Sequence, residues 1–463
     1  MNFGKLLSIF DIRHSAKRIF SVADIQRSGY SIFDVWAFLL PIVLPLYVIR
    51  FNIGPLPTTA LEVFVLVSFA IWLVSKTQDF ASLQNNAALR RWAWPITAWL
   101  IATLIAVFVA QDKWGAFGHW RAFMFEPVLI FVMLTNLIPP APLDKGGAKQ
   151  WLMYGIATIT ILLGLYSIVQ FAIGWGIPHP WDVWPGRRAT GVFGFPNGLS
   201  LFIVPFGVVC WLELLKIMNY ELRIKNYGVN FNSIFFLAAT ILAGVAAVLA
   251  KSMGGIIAFG VGVVLTLLIN KKTRRVGAAL SALGLIVAAI VGYQILSTQL
   301  NSTNIDATIF STKRWSSMVR TVIWQESIQI IKAHPLLGTG LRSYQTAIAP
   351  YHTATWMEIF PHPHNIILML WIETGLLGLL AFIWICVTWV RVVQRTTHNV
   401  QRRPDENVVR GTWYDDVRWL WLVPLIVILV HGMVDMPYFK NDLAIQFWIL
   451  AALMSLPSIR HLN

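Results

Sequence analysis

The sequence predicts an all-α polytopic integral membrane protein with about 12 transmembrane helices and one large extracytoplasmic loop. Three observations carry this. Apolar residues make up 57% of the chain and charged residues 12%, about half the charged share usual in soluble domains. Uncharged runs such as FNSIFFLAATILAGVAAVLA and AALSALGLIVAAIVGYQIL recur along it, each long enough to cross a hydrocarbon core of roughly 30 Å as a helix. With the N-terminus taken as cytoplasmic, two thirds of the 36 lysines and arginines fall in alternate connections on that side. This is the positive-inside bias. The formal charge of +15 is thus mostly topology and does not argue for a nucleic-acid partner.

Residues 1–30 alternate apolar and basic side chains without the apolar core that precedes a cleavage site. They predict a cytoplasmic amphipathic segment and not a removable signal. Nine crossings occupy 31–297, at about 33–51, 58–75, 92–110, 122–138, 152–174, 197–215, 232–250, 254–270 and 276–297. The large outer loop covers 298–363. Three crossings in 364–463, at about 364–390, 419–437 and 441–457, follow it, with a basic cytoplasmic loop at 391–418. An even number of crossings puts both termini in the cytoplasm. The only two cysteines, Cys210 and Cys386, fall inside crossings, which argues against a disulfide framework or a cysteine metal site.

Three outer segments exceed simple turns: WGIPHPWDVWPGRRATGVFGFP at 175–196, AKSMGG at 250–255, and the loop 298–363. In the last, apolar residues at 315, 318, 319, 322, 323 and 330 have helical spacing. Arg320, Trp324 and Ser327 fall on a neighbouring polar face. Pro335 and the glycines of HPLLGTG stop this amphipathic helix, which is expected along the outer membrane surface. The next crossing opens HPHNIILMLWIETGLLG. On a helix beginning near His364, Trp371 and Gly375 share the histidine's side and Glu373 points away. Gly375 and Gly378 would admit a close partner helix. A carboxylate inside a bilayer is costly, so Glu373 needs a partner or a proton; a structural contact is the commoner role for it.

Four places resemble the O-antigen ligase and polymerase superfamily of bacterial membrane glycosyltransferases. They are RATGVFGFPNGLSLFI at 188–203, RTVIWQESIQIIKAHPLLGTG at 320–340, HNIILMLWIETG at 364–375, and VHGMVDMP with His431 and Asp435. The resemblance implies a fold like the C-class glycosyltransferases in the bacterial cytoplasmic (inner) membrane, with the active site on the periplasmic side. It also implies a glycan donor on undecaprenyl diphosphate and an acceptor hydroxyl on a glycan or a lipid A core. No cofactor or metal is implied, and the sequence holds neither Asp-x-Asp nor His-Glu-x-x-His. One departure stands out. Many members carry Ser-Arg-Gly where this chain has Ser252, Met253 and Gly254, and Lys251 is the nearest cation.

Breaking a sugar–diphosphate bond leaves negative charge on phosphate oxygens, which arginine forks suit. Arg188 and Arg320 are the leading candidates for that clamp, with Arg187 and Arg342 behind them; headgroup anchoring is the alternative for each. His364 is the candidate general base, since a neutral imidazole accepts a proton near its ordinary pKa of about 6.5. Lys251, Trp324, Glu373 and Gly375 are supporting candidates. Ligase and polymerase differ only in the acceptor, and these residues do not separate them. A solute transporter is the reading from another class. It has the least support, because no internal repeat is visible and the polar residues gather at the outer rim instead of the midplane.

Overall fold

The structure is a computed structural model describing residues 31–54, 56–76, 86–137, 147–223, 231–270, 273–284, 286, 309–354, 356–401 and 419–455. The expected N-terminal segment, over half of the crossing at 276–297 and most of the basic loop lie outside these residues.

Helices form where the uncharged runs are. α1 (Ile32–Val43) begins behind Ser31, whose hydroxyl accepts from the Phe33 N–H while Asp34 accepts from the Ser31 N–H, a reciprocal cap. α2 (Ala60–Lys76), α3 (Ala87–Val109), α4 (Lys113–Leu137), α5 (Ala148–Ile173), α6 (Pro196–Arg223), α7 (Phe231–Leu249) and α8 (Met253–Ile269) follow. After them come α9 (Ile309–Ala333), α10 (Ile366–Gln401), α11 (Val423–Gly432) and α12 (Asn441–Ser455). Among the described residues, α3 to α7 and α10 are long and apolar enough to cross a membrane. Five shorter apolar helices accompany them, the runs containing α1, α2, α8, α11 and α12. A polytopic helical membrane protein is therefore what this chain forms.

α12 is buried from Asn441 to Met454, as expected of a helix with no polar stripe to turn outward. Trp448 meets Phe131 of α4 and Trp92 of α3 at 5.2 and 6.0 Å. Gln446 donates to the Phe202 carbonyl of α6 at 2.6 Å. Placing α6 and α12 at the centre fixes the loops at their ends, and those loops carry the site.

Two local features depart from the sequence expectation. The chain is not wholly helical, because β1 (Arg50–Ile53) and β2 (Leu56–Thr59) pair as an antiparallel hairpin. Gly54 turns it with φ +60, a conformation only glycine adopts without strain. Arg121, just ahead of the crossing expected at 122–138, lies within α4 at a π-helical turn, Arg121–Phe125. Its guanidinium pairs with Glu62 and, at 3.2 Å, with Glu126. That compensation lets the helix start well before the uncharged run does.

α9 ends at Ala333, ahead of Pro335, as expected. Its apolar residues Val319, Ile323 and Ile330 pack on Tyr344, Ile348, Met369 and Ile372, so this face meets the protein's own α10 and loop. The closing loop then enters α10 itself. At Gly375 (φ 67, ψ −175) α10 is broken. The Leu376 N–H donates to the Pro335 carbonyl at 3.2 Å, and the freed Ile372 carbonyl accepts from the Thr339 N–H at 2.7 Å. Gly375 thus admits the Leu336–Leu337 backbone. The expectation of a partner helix there is corrected, because the helix's own broken hydrogen bonds are completed by the loop.

Candidate functional site

His364 is not on the helix. Asn365 is the residue whose side chain caps α10, accepting from Ile367 and Leu368 N–H at 3.0 and 3.1 Å. His364 stands outside that cap with φ 50, a left-handed backbone that turns its ring back toward the α11–α12 connection. There Nδ1 lies 3.5 Å from Oδ1 of Asp435, a separation that a small ring rotation converts into a hydrogen bond. The ring of His362 meets that of His364 edge to face at 4.3 Å.

Asp435 is buried and accepts from Asn197 Nδ2 at 2.6 Å and from the Met436 N–H at 2.9 Å. Burial disfavours its charge, but the nearby ring and charge of His364, with the charges of His431 and His362, hold its carboxyl well below the usual carboxylate range. His362 is pushed down to about 4, first by burial and then by the charge of His364. Asn197 opens α6 beside Pro196, and its Oδ1 accepts from the Arg188 guanidinium at 3.1 Å. A chain of side chains therefore runs Arg188–Asn197–Asp435–His364.

Arg188 is seated from below. Its Nε donates to the Ala250 carbonyl at 2.8 Å, and a second nitrogen stands 3.4 Å from the Lys251 carbonyl. Trp181 lies under the guanidinium at 4.9 Å. Burial lowers its pKa, Asp435 acts the other way, and the charge of Arg320 adds to the lowering. Trp324, one turn further along α9, donates to the Pro363 carbonyl at 2.9 Å and ties α9 to the histidine loop.

The other candidates stand apart from this group. Arg187 donates to the carbonyls of Phe171 and Ala172 at 3.0 and 3.2 Å, closing the C-terminal end of α5. Arg342, also left-handed at φ 62, pairs with Asp112 at 2.8 Å. The Lys251 ammonium donates to the Pro185 carbonyl at 3.1 Å and so braces the loop holding Arg188. Glu373 faces the backbone N–H groups of residues 342 to 344 and accepts from Tyr344 at 3.4 Å. At the Ser-Arg-Gly position, Met253 is half exposed. The glycines after it let α8 pack on Ser200 and His431.

Sequence reasoning assigned no role to Asn197 or Asp435. The Pro-Asn step opening α6 and an aspartate between two outer crossing ends were the available signals. The cluster of His362, His364 and Asp435 was also invisible, because its histidines and its aspartate come from different connections.

Residues 238–383 match the family described as O-antigen ligase. An O-antigen ligase from Salmonella typhimurium is 23% identical over 73% of this chain and 78% of its own length. A putative polysaccharide ligase from Rickettsia felis is 22% identical over 58% of this chain and 60% of its own. Over these stretches the chain is similar to the O-antigen ligase superfamily. The exopolysaccharide production protein ExoQ of Rhizobium meliloti is similar at 21% identity over 84% of this chain and 83% of its own. The segment matching the O-antigen ligase family contains Lys251, Arg320, Trp324, Arg342, His364, Glu373 and Gly375. Arg188, Asn197 and Asp435 reach the same site from outside that segment.

Proposed function

We propose that this chain, similar to the O-antigen ligases, is a lipid-diphosphate-dependent glycosyltransferase. It moves a glycan from undecaprenyl diphosphate to an acceptor hydroxyl at the outer face of the bacterial cytoplasmic membrane, with no metal in the reaction. The observation that carries this is the side-chain chain Arg188–Asn197–Asp435–His364. It joins a cation suited to diphosphate with a histidine oriented by a buried carboxylate.

In the proposed step His364 accepts the acceptor's hydroxyl proton at Nε2 while Nδ1–H turns to Asp435. The acceptor oxygen bonds to the anomeric carbon as the bond from that carbon to the diphosphate oxygen breaks. The electron pair leaves with the undecaprenyl diphosphate, and Arg188 and Arg320 stabilise the charge. Positioned proton transfer typically contributes 10²–10⁴-fold, and a fixed group on a developing oxyanion about 10²–10³-fold.

The test uses purified protein in lipid, a glycan on undecaprenyl diphosphate, and candidate acceptors. Acceptor-dependent release of undecaprenyl diphosphate should fall by roughly 10²-fold or more in His364→Ala and Arg320→Ala. Release unchanged in His364→Ala would remove it as the base. A second reading is favoured by the similarity to ExoQ, which covers more of the chain than the ligase match does. In it the acceptor is another lipid-linked repeat and the enzyme is a polymerase. A glycan ladder growing on the carrier alone would select this reading; transfer to a lipid A core would select the ligase.

A further inference from the structure

His362, His364 and Asp435 form a group that glycan transfer does not require. One possible ligand atom from each lies within 4.8 Å of the other two. The edge from His364 Nδ1 to Asp435 Oδ1 is 3.5 Å, whereas a tetrahedral site with bonds near 2.0–2.1 Å has edges of about 3.4 Å. Nδ1 of His362 and Nδ1 of His364 are buried without a hydrogen bond among the described residues. The second oxygen of Asp435 is held by Asn197, the kind of outer support that orients a ligating carboxylate. Two imidazoles and one carboxylate suit zinc-like ions, which bind three protein ligands and take a further one in the fourth position. Magnesium and calcium prefer oxygen ligands alone.

We propose that these three side chains bind a divalent transition ion of the zinc type and that its binding switches transfer off. The switch rests on His364 being the base. A neutral imidazole has one N–H and one lone pair. An ion on Nδ1 takes that lone pair and leaves the proton on Nε2, so no lone pair faces the acceptor hydroxyl. The ion also takes the Asp435 carboxylate from the ring. It serves no step of the transfer.

The test titrates purified, tag-free protein with Co²⁺ as the visible probe and then displaces it with Zn²⁺. One equivalent of Co²⁺ should give tetrahedral absorption bands, lost on adding Zn²⁺ and unaffected by Mg²⁺. Acceptor-dependent release should fall as Zn²⁺ fills the site and return with a chelator. His362→Ala lacks one ligand and leaves the His364–Asp435 pair, so both binding and inhibition should weaken by about 10-fold or more. A cobalt spectrum unchanged in His362→Ala would place the ion elsewhere and overturn the site. Zinc bound at full occupancy with transfer undiminished would overturn the switch. The His364→Ala activity, measured with chelator present, tests the base separately.

Discussion

Asn197 lies between two groups that constrain it completely. The arginine fork only donates and an ionised carboxylate only accepts, so the amide must turn its oxygen to Arg188 and its nitrogen to Asp435, as observed. Asn197→Ala removes both contacts and leaves a buried carboxylate short of one donor, which costs about 1–3 kcal/mol. If the chain serves transfer, kcat should fall by roughly 5- to 150-fold with KM changed much less. A variant with full kcat would make Asn197 structural only. Asp435→Asn tests the next link, since it keeps the shape of the side chain and removes the charge that orients His364. It should lower kcat by at least about 10²-fold, with protein folded to the same melting temperature; comparable loss in a triad aspartate sets that scale.

At the scale of the element, the connection between α9 and α10 is held at two places that predict different measurements. At Gly375 the backbone is in a region essentially reserved for glycine, which costs another residue of order 1–3 kcal/mol, and an added Cβ would meet the Leu336 carbonyl. Gly375→Ala should lower the melting temperature and expose the 335–340 turn to protease; an unchanged turn would mean the break is not needed to seat the loop. The second place is His352. Its Nδ1 faces Glu326 Oε2 and its Nε2 faces the Met357 carbonyl, both at 3.1 Å, so the protonated ring satisfies both acceptors. The hydrogen bond to Glu326 raises its pKa, burial opposes this, and the Met357 carbonyl and the Glu326 charge add to the rise. The stability this adds is complete below the ordinary histidine pKa of about 6.5 and is lost as pH rises through the raised value. Amides of Thr353 and Met357, corrected for intrinsic rate, should therefore be better protected from hydrogen exchange at pH 6 than at pH 8. His352→Gln should abolish that difference. Equal protection at both pH values in the unaltered protein would show that the contact does not titrate.

For the whole molecule, the helices were legible because uncharged runs have one solution in a bilayer, with every backbone group bonded within its own helix. The hairpin at 50–59 and the early start of α4 were not, since they depend on Glu62 meeting Arg121 across the fold. Arg188 and His364 were legible as polar residues at the ends of apolar runs, and Arg320 on the polar face of an amphipathic segment. Their connection through Asn197 and Asp435 depended on how α6, α10 and α12 pack. The same packing sharpens the orientation derived from charge. Arg188 follows α5, Ala250 follows α7, and Asp435 follows α11, yet all three meet, so these connections share one end of the bundle. The charge bias predicts that this is the outer end. A background with Cys210 and Cys386 replaced by alanine allows a direct check. In right-side-out vesicles an impermeant maleimide should label Trp184→Cys, in the exposed part of the Arg188 loop, without lysis. Arg274→Cys, in the basic connection after α8 and also exposed, should label only after lysis. The reverse pattern would put the site in the cytoplasm, where a lipid-linked glycan displayed on the outer face is out of its reach.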